Sequence, residues 1–360
     1  MKTGIVFVGD VIFSPFMKLY TDILDEHAED YDVLFWKRTN EKETFPKNYL
    51  FFEHHSRLNK NKLLKITDFY QYQKWLKKTI KINKYDKLII LTTVPGLLLH
   101  KELLTLYKGK YIYDIRDYTY ENFSLFKSLE NKVIDGSYFT CISSPGFKEF
   151  LPERSYVLAH NMQLEELNNR SDFKKKKQGP LNLVWIGAVR YYEQQIDIIN
   201  HLKNSSKINL IYHGIGEDYG RLSEYVKANQ ITNVTFTGKY VNKQKSKLLA
   251  DADILLNSYK LANHQKVKHA ISNKYYDGLI YGIPQLVEND SYKQKEVEKR
   301  KLGVVIDPKD PLLEEKLLSY YFAVDEELFN KNKQEALDEI EKDQLNYIKK
   351  INDFVEMPID

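Results

Sequence analysis

The sequence lacks several features that would assign it to a class at once. Its 360 residues contain a single cysteine, Cys141, which excludes an internal disulfide framework and metal sites of the CxxC type. No apolar run approaches the ~20 residues that a membrane-spanning helix needs. The apolar run between Lys2 and Asp10 is too short for the hydrophobic region of a signal peptide, so we expect a strand there.

Charge of either sign is not in large excess. The net charge of +4 is too small for this length to argue for a nucleic-acid partner. With 42% hydrophobic and 29% charged residues the chain is an ordinary globular protein, and its 27 Tyr and 18 Phe make it unusually aromatic. Because the length exceeds what one hydrophobic core usually organises, we expect about two domains.

Short apolar segments alternate with amphipathic helical stretches in both halves of the chain. The segments of the first half are "GIVFVG", "YDVLFWK", "KLIILTT", "KYIYDIRD" and "YFTCISS". Those of the second half are "LNLVWIG", "INLIYHG", "NVTFTG", "ADILLNS", "IPQLV" and "LGVVID". A strand followed by a helix, repeated, predicts a parallel sheet covered on both faces. We therefore predict an α/β protein with two Rossmann-like, doubly wound domains that face a cleft, where the carboxyl ends of the strands bind ligands.

The alternation lapses once, in the polar stretch "LEELNNRSDFKKKKQGP". Such composition is typical of an inter-domain linker. We predict an N-terminal domain over residues 1–165, a linker over 166–180 and a C-terminal domain over 181–328. Apolar residues at mixed three- and four-residue spacings predict an amphipathic helix over residues 329–360, which needs another surface to pack against.

Glycines follow several of the second-half strands: Gly187, Gly214, Gly216 and Gly238. A glycine after a strand lets backbone N–H groups approach a phosphate closely, and a following helix N-terminus adds a favourable dipole. For each glycine alone, a tight turn of any α/β fold is an equal alternative. Their shared position at the strand ends favours phosphate binding.

Three charged residues lie near these glycines in the predicted fold. Arg190 follows Gly187 by three residues, where a guanidinium can hold a diphosphate with two hydrogen bonds; a surface arginine is the alternative. Lys274 and Asp277 are three apart and share a helical face. Lys274 would neutralise an anionic leaving group and Asp277 would accept hydrogen bonds from a ribose. Taken alone, this spacing favours a weak intrahelical ion pair.

The order of the second-half motifs resembles the donor-binding domain of GT-B fold glycosyltransferases. It is most similar to the retaining family four, in particular its bacterial capsule and exopolysaccharide members. That family commonly reads "NK-x-x-E-x-x-x-x-G-x-P-V-V", and this chain has Asn273, Lys274, Asp277, Gly282 and Pro284 at the corresponding positions. The resemblance implies that Asp277 holds the donor ribose, as the second acid of the family's Glu-x7-Glu signature does. His269 stands at the place of the first acid.

The first half resembles the same family. "YIYDIRDYTYEN" is similar to a family strand that ends in His-Asp, with Arg116 and Asp117 at those two positions. Gly9 and Asp10 stand where the family usually has a pair of glycines. The resemblance implies that these four residues lie on the acceptor side. It also implies that the C-terminal helix packs back on the N-terminal domain.

The function implied is transfer of a sugar from a nucleotide diphosphate sugar to a glycan or lipid-linked acceptor in surface polysaccharide synthesis. The enzyme would be a hexosyltransferase-type, retaining glycosyltransferase without metal or other cofactor, and Arg190 and Lys274 would hold the diphosphate. The base would lie near Gly238 and Tyr240, and UDP-sugars are favoured over GDP-sugars. Asp251 and Asp253 lead into a strand, and we interpret them as surface acids rather than metal ligands.

Two alternative functions and a peripheral membrane contact stay open at this point. A nucleotide-sugar epimerase of GT-B architecture would use Asp117 and His269, and a degenerate, non-catalytic partner subunit is favoured by the missing first acid. The expected location is cytoplasmic. The aromatic and basic stretch "FPKNYLFFEHHSRLNKNKLLK" is either an ordinary loop and helix, which we favour, or a peripheral contact with the inner membrane face.

Overall fold

The computed structural model describes residues 1–11, 14–38, 44–54, 62–119, 123–259 and 265–358, without the side chains of 62–65 and of 265–266. The chain divides into two compact units. The first contains Met1–His160 and Asp343–Asp360, and the second contains Asn161–Lys342. The segment 166–180, which the sequence predicts to be a linker, lies in the second unit, where Phe173 is buried in the core.

The first unit is built on a parallel sheet of seven strands in its described part, in the order β3-β2-β1-β4-β5-β6-β7. The strands are β1 Lys2–Phe7, β2 Asp30–Lys37, β3 Tyr49–Glu53, β4 Lys87–Leu91, β5 Tyr111–Ile115, β6 Phe139–Ile142 and β7 Val157–Leu158. The helices between them are α1 Met17–Glu26, α2 Lys62–Asn83, α3 Thr93–Leu98, α4 His100–Thr105 and α5 Ser124–Gly136.

The second unit has a parallel sheet of six strands over the residues described, in the order β10-β9-β8-β11-β12-β13. The strands are β8 Leu181–Ile186, β9 Ile208–His213, β10 Val234–Gly238, β11 Ile254–Leu256, β12 Gln285–Val287 and β13 Gly303–Val305. The helices are α6 Tyr192–Leu202, α7 Tyr219–Ala228, α8 Lys245–Leu249, α9 Gln265–His269, α10 Asn273–Ile280, α11 Tyr292–Lys299, α12 Leu313–Ala323 and α13 Glu326–Glu356.

Both sheets confirm the predicted doubly wound α/β architecture, and each of the second-half segments quoted above forms a strand. Strands buried on both faces are apolar along most of their length, as in β11 and in β4 after Lys87, where every residue is buried. In the second sheet the direction of strand addition reverses between β8 and β11, which are hydrogen-bonded neighbours. Such a reversal opens a crevice outside the carboxyl ends of the two strands, where open α/β sheets bind ligands.

Two interpretations of the sequence are wrong in detail. Strand β3 lies inside the stretch we expected to be a loop and a helix, because its alternating aromatic residues pair with β2 and pack on Phe35. The rest of that stretch lies partly outside the described residues. Asp253, expected to be a surface acid, is buried and accepts hydrogen bonds from Lys176, the Tyr321 hydroxyl and the backbone of Asn182.

Helix α13 has 31 residues and belongs to both units, which divide between Lys342 and Asp343. Its first part contributes Phe329, Leu337 and Ile340 to the core of the second unit. Its last part returns to the first unit, where Ile351 and Phe354 pack in the core of that sheet. None of the helices in the described ranges combines the length and the apolarity needed to cross a bilayer.

Candidate functional site

The glycines at the carboxyl ends of β8, β9 and β10 lie together. The Gly187 N–H donates to the His213 carbonyl and the Gly214 N–H to the Gly238 carbonyl, each at 2.9 Å. Gly214 has φ +128°, and a Cβ there would lie 2.1 Å from the Gly187 carbonyl oxygen. Only glycine permits this approach, so the three strand ends lie directly against one another, with Gly214 buried and Gly187 and Gly238 partly exposed.

The loop that carries Arg190 is fixed onto the loop after β9. A Cβ on Gly216 would lie 2.3 Å from the Val189 carbonyl oxygen, and the Val189 N–H donates to the Ile215 carbonyl at 3.3 Å. Tyr191, in the left-handed region at φ +69°, then turns the chain into α6. Arg190, between Val189 and Tyr191 on this loop, is exposed.

Lys274 lies beneath this edge on α10 and is buried. Its Nζ lies 3.6 Å from the centroid of the Trp185 ring and donates to the Tyr259 hydroxyl at 2.9 Å. Burial lowers the pKa of Lys274 well below its usual value, and the positive charges of Lys293 and Arg190 lower it further. Lys274 thus packs on the end of strand β8 at Trp185, and Arg190 lies on the loop that follows the same strand.

Asp277 faces a different partner from Lys274. Its Oδ1 accepts from the Lys245 Nζ at 2.9 Å, and Glu166 lies 3.6 Å from the same ammonium. Burial raises the pKa of Asp277 despite the opposing effect of Lys245. Burial also raises the pKa of Tyr240, and the charge of Asp277 raises it further. The expected pair within the helix is replaced by an ion pair between α10 and α8.

Asn273 is the first residue of α10 and is exposed. The residue before it, Ser272, donates its hydroxyl hydrogen to the Asn257 side-chain oxygen at 2.6 Å, which ties the start of the helix to the end of β11. His269 is buried at the end of α9. Asn273 and Lys274 therefore occupy adjacent positions at the start of one helix, one exposed and one buried.

The architecture matches solved structures over nearly the whole chain. The apo form of the lipopolysaccharide outer core galactosyltransferase WaaB aligns with a TM-score of 0.58 at 14% identity, over 99% of each chain. Sucrose-phosphate synthase from Thermosynechococcus elongatus aligns with a TM-score of 0.67 at 9% identity, over 96% of this chain and 97% of that chain. The chain has the GT-B fold. Anabaena HepE, solved in complex with UDP, aligns with a TM-score of 0.62 at 11% identity, over 97% of this chain and 99% of that chain.

At these identities the likeness establishes the GT-B fold alone. No family model matches the chain, and no curated protein matches it. Membership of the retaining family four and the capsular type therefore stay predictions.

In the first unit of this GT-B chain, Arg116 is held in a buried ion pair. Its Nε and Nη2 donate to the two oxygens of Asp114 at 2.6 and 2.8 Å, and its Nη1 donates to the Ala159 carbonyl at 2.9 Å. Burial alone would lower the pKa of Arg116, but the charge and hydrogen bonds of Asp114, together with Tyr347 and Cys141, raise it well above the usual value. The neighbouring Asp117 is exposed. The hydrogen bonds of Arg116 thus go to residues of its own unit.

Gly9 and Asp10 follow β1. Gly9 has φ +149°, and the buried Asp10 accepts a hydrogen bond from the Arg38 backbone N–H at 2.8 Å. The structure places these two residues and Arg116 in the first unit, separate from the donor-side set in the second. Within the described part of the chain, no group of three or more His, Cys, Asp or Glu side chains has an arrangement that could hold a metal ion.

Sequence reasoning missed a buried polar cluster that adjoins Lys274. Lys293, on α11, is 2.9 Å from the Glu288 carboxylate and lies 4.2 Å from the centroid of the Tyr259 ring. It also donates to the backbone oxygen of Asn257. Burial lowers the pKa of Lys293, and Glu288 opposes that shift. An acid directly after the buried run "QLV" was the available signal, because a charge at the carboxyl end of a parallel strand faces the ligand-binding edge.

Proposed function

We propose that the chain is a glycosyltransferase that takes a sugar from a nucleotide diphosphate sugar. The observation that carries this proposal is the edge of the second sheet at its switch point. There, beside the glycine strand ends, Lys274 packs on the Trp185 ring of β8 and the exposed Arg190 lies on the loop after the same strand, so two basic side chains are placed to bind an anion. The GT-B fold and the UDP bound by HepE support a nucleotide-sugar donor, and we favour UDP over GDP.

The order of the strands suggests how the donor lies along this edge. The base would pack near Gly238 and Tyr240 at β10, and the ribose would hydrogen-bond to Asp277. The diphosphate would follow at the end of β8, between the glycine backbone and the pair formed by Arg190 and Lys274. Lys245 holds the Asp277 carboxylate through one oxygen, which leaves lone pairs for ribose hydroxyls.

The chemical demand of the reaction is negative charge on the leaving diphosphate. A cationic donor held in place beside the leaving group stabilises such charge better than water does, and most strongly where it is buried, as Lys274 is. The transfer we propose is metal-independent, of hexosyltransferase type, and retains the anomeric configuration, with the leaving phosphate accepting the proton of the acceptor hydroxyl. Arg190 and Lys274 are the catalytic residues of this proposal, because both would contact the leaving group.

The acceptor would bind at the carboxyl ends of β1 and β5 in the first unit. Asp117 would contact the acceptor, with Gly9 and Asp10 shaping the loop after β1. Arg116 is a positioning residue, since its hydrogen bonds go to Asp114 and Ala159. We propose a glycan or lipid-linked acceptor of surface polysaccharide synthesis, met at the cytoplasmic side.

Peripheral contact with an anionic membrane face is part of this proposal. Helix α2 is rich in lysine and exposes Ile66 and Tyr70, at 63% and 66% of their surfaces, one turn apart. Exposed apolar residues among lysines are typical of helices that lie at the membrane interface. Replacing both Ile66 and Tyr70 by Ser should reduce flotation with anionic liposomes, and unchanged flotation would discard the membrane contact.

The proposal is tested by binding and transfer together. UDP, GDP and their sugar conjugates are screened by thermal shift, since a bound ligand raises the melting temperature. Radiolabelled transfer is then measured with the donor that binds. Arg190→Ala or Lys274→Met should each lower transfer ~100-fold or more, because one lost electrostatic donor typically costs that much. Arg154→Ala, which removes an exposed arginine of the first unit, should leave transfer unchanged. Transfer within a few-fold of wild type in both site variants would contradict the proposal.

A second candidate is nucleotide-sugar binding without transfer. His269, which stands buried at the place of the first acid of the Glu-x7-Glu signature, favours it, because that carboxylate is missing. Tight binding of a nucleotide sugar without turnover in the presence of acceptor extracts would support this candidate. Conversion of the nucleotide sugar in the absence of acceptor would instead indicate an epimerase.

A further inference from the structure

Glu288 directly follows β12, and its carboxylate is buried. One oxygen, Oε2, is fully occupied. It accepts from the backbone N–H of Tyr259 at 2.9 Å and lies 2.9 Å from the Lys293 Nζ. These two contacts fix the orientation of the carboxylate at the carboxyl end of the strand.

The other oxygen, Oε1, is buried and has no hydrogen-bond partner among the described residues. Leaving a charged acceptor buried and unsatisfied is costly, and native proteins seldom do so without a functional reason. The two contacts of Oε2 already tie Glu288 to its neighbours. Oε1 is therefore not needed to hold the fold together.

A second acceptor nearby is in the same condition. The Gln194 amide nitrogen donates to the Ser258 hydroxyl at 2.8 Å, while the Gln194 Oε1 is buried without a partner in the described part of the chain. Ser258 and Tyr259 are adjacent, so both acceptors are anchored to the segment after β11. Two buried acceptors of this kind fit a ligand that supplies hydroxyl donors.

Glu288 lies on a defined side of the proposed diphosphate site. Tyr259 connects it to Lys274, because the Tyr259 backbone N–H donates to Glu288 and the Tyr259 hydroxyl accepts from Lys274, each at 2.9 Å. In the sheet, the order runs from β10 through β8 to β11 and β12. With the base at β10 and the diphosphate at β8, the transferred sugar extends toward β12, where Glu288 stands.

We propose that Glu288 is a specificity-determining residue whose Oε1 accepts a hydrogen bond from a hydroxyl of the transferred sugar. This inference rests on the proposed function. The carboxylate is held by Lys293 and the Tyr259 backbone and presents its remaining oxygen to the donor. Loss of the carboxylate should thus weaken the binding of a sugar nucleotide but not of the nucleotide alone.

Calorimetry separates the two parts of the donor. UDP, UDP-glucose and UDP-galactose, with GDP and GDP-mannose beside them, are titrated into wild type and Glu288→Gln. The variant should bind the preferred sugar nucleotide about 10- to 100-fold more weakly, the usual range for a hydrogen bond to a charged group, and the parent nucleotide within 3-fold. The matched control is Glu296→Gln, which changes a carboxylate on α11 that pairs with Arg300. This variant should change neither affinity.

Deoxy analogues of the preferred sugar nucleotide identify the hydroxyl. Wild type should bind one of these analogues about 10-fold or more weakly than the parent sugar nucleotide. Glu288→Gln should bind that analogue and the parent sugar nucleotide with equal affinity. If Glu288→Gln does not fold, Glu288→Asp takes its place, because the shorter side chain keeps the charge but withdraws the oxygen from the sugar. The deoxy series is then interpreted from wild type alone.

Several outcomes overturn the inference. Equal weakening of nucleotide and sugar nucleotide in Glu288→Gln would make Glu288 a structural residue. The proposed hydrogen bond would be contradicted if Glu288→Gln bound every ligand with unchanged affinity. It would also be contradicted if no deoxy analogue bound wild type more than 3-fold more weakly than the parent sugar nucleotide. If wild type binds none of the nucleotides, the proposed function itself fails, and the inference falls with it.

Discussion

Lys274 should take up a proton when a nucleotide diphosphate binds. In the free protein, burial and then the charge of Lys293 lower the pKa of Lys274 well below its usual value. A diphosphate beside the amine favours the charged form and raises that pKa. Below the free-state pKa the amine is already protonated, and above the bound-state pKa it is neutral in both states. Proton uptake should therefore pass through a maximum between the two values.

The opposing contributions have known sizes. Moving an ammonium out of water costs several kcal/mol in a real protein. The Trp185 ring at 3.6 Å stabilises the Lys274 ammonium by ~2 kcal/mol, and the hydrogen bond to the Tyr259 hydroxyl at 2.9 Å stabilises it by ~1 kcal/mol. A phosphate charge at ~4 Å adds an attraction of ~4 kcal/mol at an effective dielectric constant of ~20. That exceeds the ~1.4 kcal/mol that changes a protonation equilibrium tenfold.

Titration calorimetry with UDP in buffers of different ionisation enthalpy measures the uptake. A pH of about 8 to 9 is suitable, since the second phosphate ionisation, near ~6, is then complete. Wild type should take up a measurable fraction of one proton. Lys274→Met should take up none and bind UDP about 10- to 100-fold more weakly. Lys333→Met, which removes a buried lysine paired with Asp172, should keep the uptake. Binding of UDP without uptake between pH 7 and 10 would refute the assignment of Lys274 to the diphosphate.

Two further predictions concern stability, measured by urea unfolding. Gly214→Ala should lower the free energy of unfolding by about 3 kcal/mol or more, because its Cβ would lie 2.1 Å from the Gly187 carbonyl oxygen. The control Gly220→Ala, where no atom lies within 4 Å of the added Cβ, should change the free energy of unfolding by no more than ~1 kcal/mol. Equal effects of the two substitutions would contradict the glycine geometry. Lys245→Met should lower the free energy of unfolding by about 3–5 kcal/mol at pH 7, because the substitution leaves the buried Asp277 unpaired. Burial already raises the pKa of Asp277, so the loss should shrink at pH 5 as the carboxyl is protonated; a loss that grows instead would count against this pairing.

The architecture was predictable because it depends on local pattern. Apolar runs such as residues 88–91 in β4 and 183–186 in β8 are best satisfied in a sheet that is covered on both faces. Strands separated by helices must then be parallel, since a crossover returns the chain to the same end of the sheet. The glycines after β8, β9 and β10 could be located for the same reason. Strand β3 was missed because its neighbours in the sequence are basic and aromatic at once.

The partners of charged residues were not predictable from the sequence. Lys274 and Asp277 share a helix, yet one packs on Trp185 of β8 and the other pairs with Lys245 of α8. Arg116 pairs with Asp114, two residues earlier, because both are buried where β5 ends.

The sequence by itself therefore determined two parallel sheets and the glycine edge, which follow from periodicity and backbone freedom. Only the tertiary structure decided which cations face that edge and which acid, Glu288, has an oxygen to offer there. The reason is that burial and electrostatic pairing depend on side chains far apart in the chain, and periodicity does not encode them.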